Sequence, residues 1–184
     1  MTRTLIVAIA FMAPCIALGQ HAAHSPYAGQ QHREIKSLSA DEMSGYLEGR
    51  GMGLARAAEL NGYPGPMHVL ELADQLALTP EQRKRTQALF ESMRRSAVEA
   101  GRALVHEERA LDELFSRKAA TPDKLADTLA RIGQRQAEVR RLHLEAHIAQ
   151  VAILRTEQVD RYNTLRGYKG APARDAHDPG RHRH

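Results

Sequence analysis

Thr79-Pro80-Glu81-Gln82 and Thr121-Pro122-Asp123 are the stretches whose reading decides the fold. In each, a threonine hydroxyl can accept from the free N–H groups of a first helical turn. The proline after it sits where a missing N–H costs nothing. Glu81 and Asp123 place acid at the positive helix end. Gln82 stands three residues after Thr79, where it closes a capping box. Of the eight prolines, none lies between Pro80 and Pro122, and none between Pro122 and Pro172. The sequence therefore predicts two long helices, from Pro80 to about Ser116 and from Pro122 to at least Leu154. The first would span about 55 Å.

Each helix carries an apolar seam in alternating steps of four and three, the coiled-coil spacing. The first seam reads Thr86, Phe90, Met93, Ala97, Ala100, Leu104, Glu107, Leu111 and Leu114. The second reads Leu125, Leu129, Ile132, Gln136, Val139, His143, Ala146, Gln150 and Ile153. The loop between them is short, so the helices are antiparallel neighbours. Facing residue numbers then sum to about 237, with Glu107 at the level of Arg131 and His143 at the level of Met93 and Arg94. Val98, Val105, Leu142, Ile148 and Val151 widen the stripe, enough to bury against a further neighbour. Glu81 with Arg85, Glu91 with Arg95 and Asp127 with Arg131 mark solvated faces.

Outward from this hairpin the elements shorten. Ser39-Ala40-Asp41-Glu42 is a capping box, and a helix should follow to about Glu48. Gly49, Gly51 and Gly53 break it, since three glycines in five residues cost too much backbone entropy in a helix. Short helices are predicted over Leu54–Leu60 and Met67–Leu76, separated by the Tyr63-Pro64-Gly65-Pro66 turn. A last amphipathic segment runs from Glu157 to Leu165 and ends at Gly167. The fold class is all-α: a long antiparallel helical hairpin with short N-terminal helices and a short C-terminal helix.

Composition agrees with thin helical packing. The chain has 184 residues, 42% apolar and 26% charged, with only 4% aromatics and no Trp. The formal charge of +4 comes from interleaved acids and bases, which argues against a nucleic-acid surface. Arg3 followed by the apolar run Leu5–Leu18 reads as an export signal cleaved near Gly19. The run is too short for a comfortable span, and a retained anchor is the alternative. Cys15 lies inside it, so the mature chain would hold no cysteine and no disulfide. The expected layout is a signal peptide over 1–19, a flexible linker over 20–38, a helical domain over 39–168 and a basic, His-rich disordered tail over 169–184. The localisation expected is periplasmic.

Leu78-Thr79-Pro80-Glu81-Gln82 resembles the LTxxQ motif of the Spy and CpxP family of periplasmic proteins. Leu154-Arg155-Thr156-Glu157-Gln158 looks like a second copy with its threonine displaced and its proline lost. The family-motif residues are thus Leu78, Thr79, Gln82, Leu154 and Gln158. The altered copy leaves open whether the second long helix breaks at Arg155 or runs on into the last segment. The resemblance covers roughly Glu34 to Tyr168, and the Gly-rich stretch from Gly49 to Gly65 also looks like members of that family. It implies a hairpin that dimerises into a cradle and holds unfolded or misfolded periplasmic proteins without ATP in the envelope stress response. Other relatives bind zinc, copper, nickel or cobalt and act as sensors that signal to an envelope partner.

No catalytic constellation is present: there is no nucleophile elbow, and no strand precedes the Gly49–Gly53 cluster as a phosphate loop requires. The chain reads as a non-enzyme that needs no cofactor. For client binding the candidates are Met52, Leu54, Met67, Met93, Arg94, Arg95 and Arg102, where arginine would speed encounter and apolar side chains would give loose affinity. The competing reading makes Met43, Met52, Met67 and Met93 core filler. For metal (zinc, copper or nickel) the candidates are His143 and His147, four apart on one helix face. Two ligands do not close a site, and His68, an N-terminal histidine (His21, His24 or His32) or a dimer partner would have to add others. The bland alternative packs His143 in the seam with His147 on its edge. His177, His182 and His184 lack a rigid frame for any ion.

Overall fold

The computed structural model describes residues 25–169. The expected signal peptide, and the tail from residue 170 on, lie outside the described residues. The chain divides into two units, Met1–Gln31 and His32–His184. In the first, the Gln30 side-chain amide donates to the Pro26 carbonyl at 3.0 Å, closing a local turn. The second unit carries six α-helices among the described residues, and no strand is found there. They are α1 (Ala40–Glu48), α2 (Arg56–Glu59), α3 (Pro66–Glu71), α4 (Pro80–Ser116), α5 (Pro122–Val151) and α6 (Thr156–Leu165). No helix among the described residues is long and apolar enough to cross a membrane.

The two proline-started helices form as their caps dictate. Thr79 accepts from Gln82 N–H at 3.1 Å while the Gln82 side chain accepts from Thr79 N–H at 3.1 Å. Thr121 accepts from Lys124 N–H at 3.4 Å. Helices α4 and α5 pack antiparallel in the expected register. Arg131 Nε donates to Glu107 at 2.9 Å, choosing this partner across the hairpin rather than Asp127 on its own helix. Near the other end, Gln150 Nε2 donates to Thr86 Oγ1 at 3.1 Å, and both residues are fully buried.

The predicted seam holds in the middle and fails toward the loop. Leu104, Ile132 and Val139 form one core cluster, joined by Tyr46, Leu54, Ala100 and Leu111. Leu129 is exposed, and Thr128 takes the buried place beside it. A strict heptad drifts about 20° per repeat against a straight helix, so one end of the seam turns outward. Helix α1 fills the added width. It crosses α4 so closely that a Cβ on Gly101 would collide with the Tyr46 carbonyl oxygen.

Residues 34–38, expected as the end of a flexible linker, dock on α4 instead. Ile35 is 1% exposed, Glu34 pairs with Arg109 at 2.6 Å, and Lys36 pairs with Asp112 at 3.0 Å. The Ser37 hydroxyl donates to the buried Glu108 at 2.8 Å. One apolar side chain, worth about 1.5–3 kcal/mol when fully buried, anchors the segment.

The second cluster, Val69, Leu76 and Tyr162, joins α3 to α6, with Leu72, Leu78 and Leu154 packed against it. Helix α3 is shorter than predicted and continues as turns toward Ala77, a residue in left-handed backbone (φ 47°). Helix α5 ends at Val151, short of the Leu154 expected, and α6 begins as a separate helix at Thr156. The break survives the loss of threonine and proline because Gln158 still accepts from Arg155 N–H at 2.9 Å.

Candidate functional site

The two motif glutamines meet. Gln82 Nε2 donates to Gln158 Oε1 at 2.8 Å, and Gln158 Nε2 donates back to Gln82 Oε1 at 3.1 Å. Gln82 Nε2 also reaches the Ile153 carbonyl at 2.9 Å, and Gln158 Nε2 the Leu76 carbonyl at 3.1 Å. Each amide therefore caps its own helix and ties it to the other segment. Every donor and acceptor of the pair is occupied from within the chain, so nothing remains for a ligand. Leu78 and Leu154 pack beside it in the Tyr162 cluster. The motif is a structural clasp.

A groove lies elsewhere, between the Gly49–Gly53 loop, the start of α3 and the middle of the hairpin. Its volume is about 960 Å³, and Met52, Met67, Met93, His143 and His147 all line it. Helix α4 supplies Met93, α5 supplies both histidines, the start of α3 supplies Met67, and the glycine loop supplies Met52. The register that placed His143 opposite Met93 thus builds this groove.

His143 is 4% exposed, and its Nε2 is sealed from solvent with no hydrogen-bond partner. Its Nδ1 faces the loop, 4.0 Å from where a Cβ on Gly51 would stand. Burial, and next the charge of His147, hold its pKa below the ordinary imidazole value, so the ring is neutral at pH 7. A buried imidazole nitrogen without a partner forfeits about 1–3 kcal/mol of hydration and gains nothing back.

His147 is arranged differently. Its Nδ1 lies 2.7 Å from the Tyr63 carbonyl, which can only accept, so Nδ1 carries a proton and donates it there. Glu59 stands behind it, with Oε2 3.7 Å from the same Nδ1. This carboxylate also accepts from Tyr162 Oη at 2.5 Å, Tyr168 Oη at 3.0 Å and Gly65 N–H at 3.2 Å. Burial first, then the hydrogen bond to Glu59, push the Tyr162 phenol far above its usual pKa. The groove is thereby coupled to α6 through Glu59. Sequence reasoning missed Glu59 and Tyr63, since a glutamate on a four-residue helix and a tyrosine before proline carry no pattern.

The other expected site residues divide. Arg94 lines the same groove. Arg95 and Arg102 border a separate shallow depression with Val98 and Glu99. Leu54, a client-binding candidate, is half-buried and packs against the Leu104 cluster, where the glycine loop folds it down onto the hairpin. His68 reaches the groove, with Nδ1 held by Glu71 at 2.8 Å. Among the described residues no three His, Cys, Asp or Glu side chains converge closely enough to hold a metal ion.

An all-helical hairpin with a His-x-x-x-His pair under a glycine loop defines a class of small helical protein. A family model for heavy-metal resistance matches residues 49–161, from the glycine loop into α6. The chain belongs to that heavy-metal-resistance family. No curated protein and no solved structure matches it in the comparisons made.

Proposed function

We propose that this chain is an exported, non-enzymatic protein of the periplasm that binds a metal ion in the His143–His147 groove and serves heavy-metal resistance as a sensor or buffer. The observation that carries the reading is the His143 ring, neutral and buried, with a nitrogen that no protein group satisfies. His147 supports it: a backbone carbonyl holds its Nδ1–H, the arrangement that orients metal-ligating histidines. Family membership supplies the biological context. An ion held there would act on Tyr63 and Glu59, and through Tyr162 on α6, which offers a route to an envelope partner or to a second copy in a homodimer. No cofactor beyond the ion and no nucleic acid enters this reading.

The LTxxQ resemblance to Spy and CpxP supports a second reading, an ATP-independent holdase for unfolded periplasmic proteins. The specific observation behind it is the exposure of Met52 and Met67, 39% and 44%, in the groove that Arg94 also lines.

The test is calorimetric titration of the tag-free chain with zinc, nickel and copper. Binding of about one ion per chain, abolished by His143→Leu in a protein that still melts cooperatively, is the expected result. Binding that His143→Leu leaves intact, or no stoichiometric binding, overturns the metal reading. Metal-independent suppression of client aggregation at near-equimolar ratio would then establish the holdase.

A further inference from the structure

Two imidazoles leave an ion's shell incomplete, and the carboxylates on the groove wall are engaged: Asp41 and Glu48 pair with Arg50, and Glu42 closes the Ser39 cap. Glu59 already accepts from two phenols and a backbone N–H, and His68 is tied to Glu71. Among the described residues no third His, Asp or Glu comes into range. What the groove does supply is sulfur. Of the chain's six methionines, Met52, Met67 and Met93 all line this one cavity.

Met52 is held there against local backbone preference. It adopts φ 42°, a left-handed conformation that costs a non-glycine residue about 1–2 kcal/mol, while glycine stands on either side of it. A third glycine at this position would remove that strain and lose the thioether. The side chain also has a place made for it. A Cβ on Gly45, one helix away, would collide with the Met52 sulfur. The residue remains 39% exposed, so an ion can reach it from solvent.

Thioether and neutral imidazole are uncharged donors, and the thioether is a soft one. Neither donor offsets the charge of a divalent ion as a carboxylate or thiolate would. Soft sulfur ligands select Cu(I), whereas zinc and nickel are better served by imidazole with carboxylate or water. Resting on the metal reading above, we propose that the groove is a soft-metal site that takes Cu(I), or Ag(I) as its redox-inert equivalent, between His143, His147 and the Met52 thioether. Met93 and Met67 are the remaining sulfur donors on its wall. Met52 is the residue that sets the selectivity, and the two histidines set the affinity for any ion.

The experiment compares the full tag-free chain with Met52→Leu and His143→Leu. Ag(I) is followed by calorimetry, Cu(I) by anaerobic competition with a chromogenic chelator, and zinc and nickel are titrated in parallel. Cu(I) and Ag(I) are expected to bind more tightly than zinc by about a hundredfold or more. Met52→Leu should weaken Ag(I) and Cu(I) by about tenfold or more, leave zinc unchanged, and leave the melting curve as cooperative as before. Met52→His should shift the preference toward zinc and nickel. If zinc or nickel binds best, or if Met52→Leu leaves Ag(I) affinity within about twofold while His143→Leu abolishes it, the soft-site inference is overturned and the metal reading stands. If His143→Leu changes nothing for any ion, both fall together.

Discussion

The glutamine clasp and the histidine groove lie at neighbouring levels of one hairpin and treat buried polar groups in opposite ways. In the clasp, Gln82 and Gln158 satisfy each other and four backbone groups of the surrounding turns. In the groove, His143 buries a nitrogen that nothing satisfies. A closed network fixes one geometry, and a ligand could enter only by breaking it. An open one carries a standing cost that a ligand can relieve. The LTxxQ motif of this sequence is therefore architecture, and the candidate site joins a His-x-x-x-His pair to residues of other elements.

That contrast can be broken most sharply at the clasp. Gln82→Leu strands the Thr79 N–H and the Ile153 carbonyl and takes one bond from each end of the Gln158 amide, and should lower stability by about 3 kcal/mol in urea unfolding. A loss below about 1 kcal/mol would show that water replaces the network and that the clasp is not closed. An intermediate loss is expected where the groove meets α6. Tyr162→Phe removes the 2.5 Å bond to Glu59 and should cost about 1.5–2 kcal/mol by the same measurement. It should also change the α6 amide signals on metal addition, if Glu59 relays the ion.

The smallest effect has the opposite sign. His143→Leu exchanges an unsatisfied buried ring for an apolar side chain and should leave stability unchanged or raise it by about 1 kcal/mol. A loss of about 2 kcal/mol or more would mean that the ring is properly satisfied and the groove is ordinary core. The pH profile sharpens the same point. Because folding depresses the His143 pKa, the unfolded chain binds more protons than the folded one over that window. Stability should be fully present above the unfolded histidine value of about 6.5 and fall as pH drops toward the lower folded value. His143→Leu should flatten that part of the Tm-against-pH curve.

Much of this was legible in the chain. Thr79, Pro80, Thr121 and Pro122 set where the long helices start, and the short loop made them antiparallel. Alternating steps of four and three then gave a register accurate enough to put Arg131 on Glu107. These are local rules, because a cap or a helical period acts within a turn or two of its own residue. The break at Arg155 was not legible, since the residue that maintains it, Gln158, is held by Gln82 from 76 positions away. The half-buried place of Leu54 beside the Leu104 cluster was not legible either, since the path of the glycine loop sets it.

The sequence by itself determined an all-helical hairpin, its register and the His-x-x-x-His pair. Only the tertiary structure decided that Met52, Met67 and Met93 share a cavity with that pair, and that His143 is left without a partner inside it. The physical reason is range. Helix start and seam follow from neighbours one to four residues apart. The groove is assembled from α3, α4, α5 and the glycine loop, whose meeting depends on close approaches such as Tyr46 over Gly101 that no local pattern encodes.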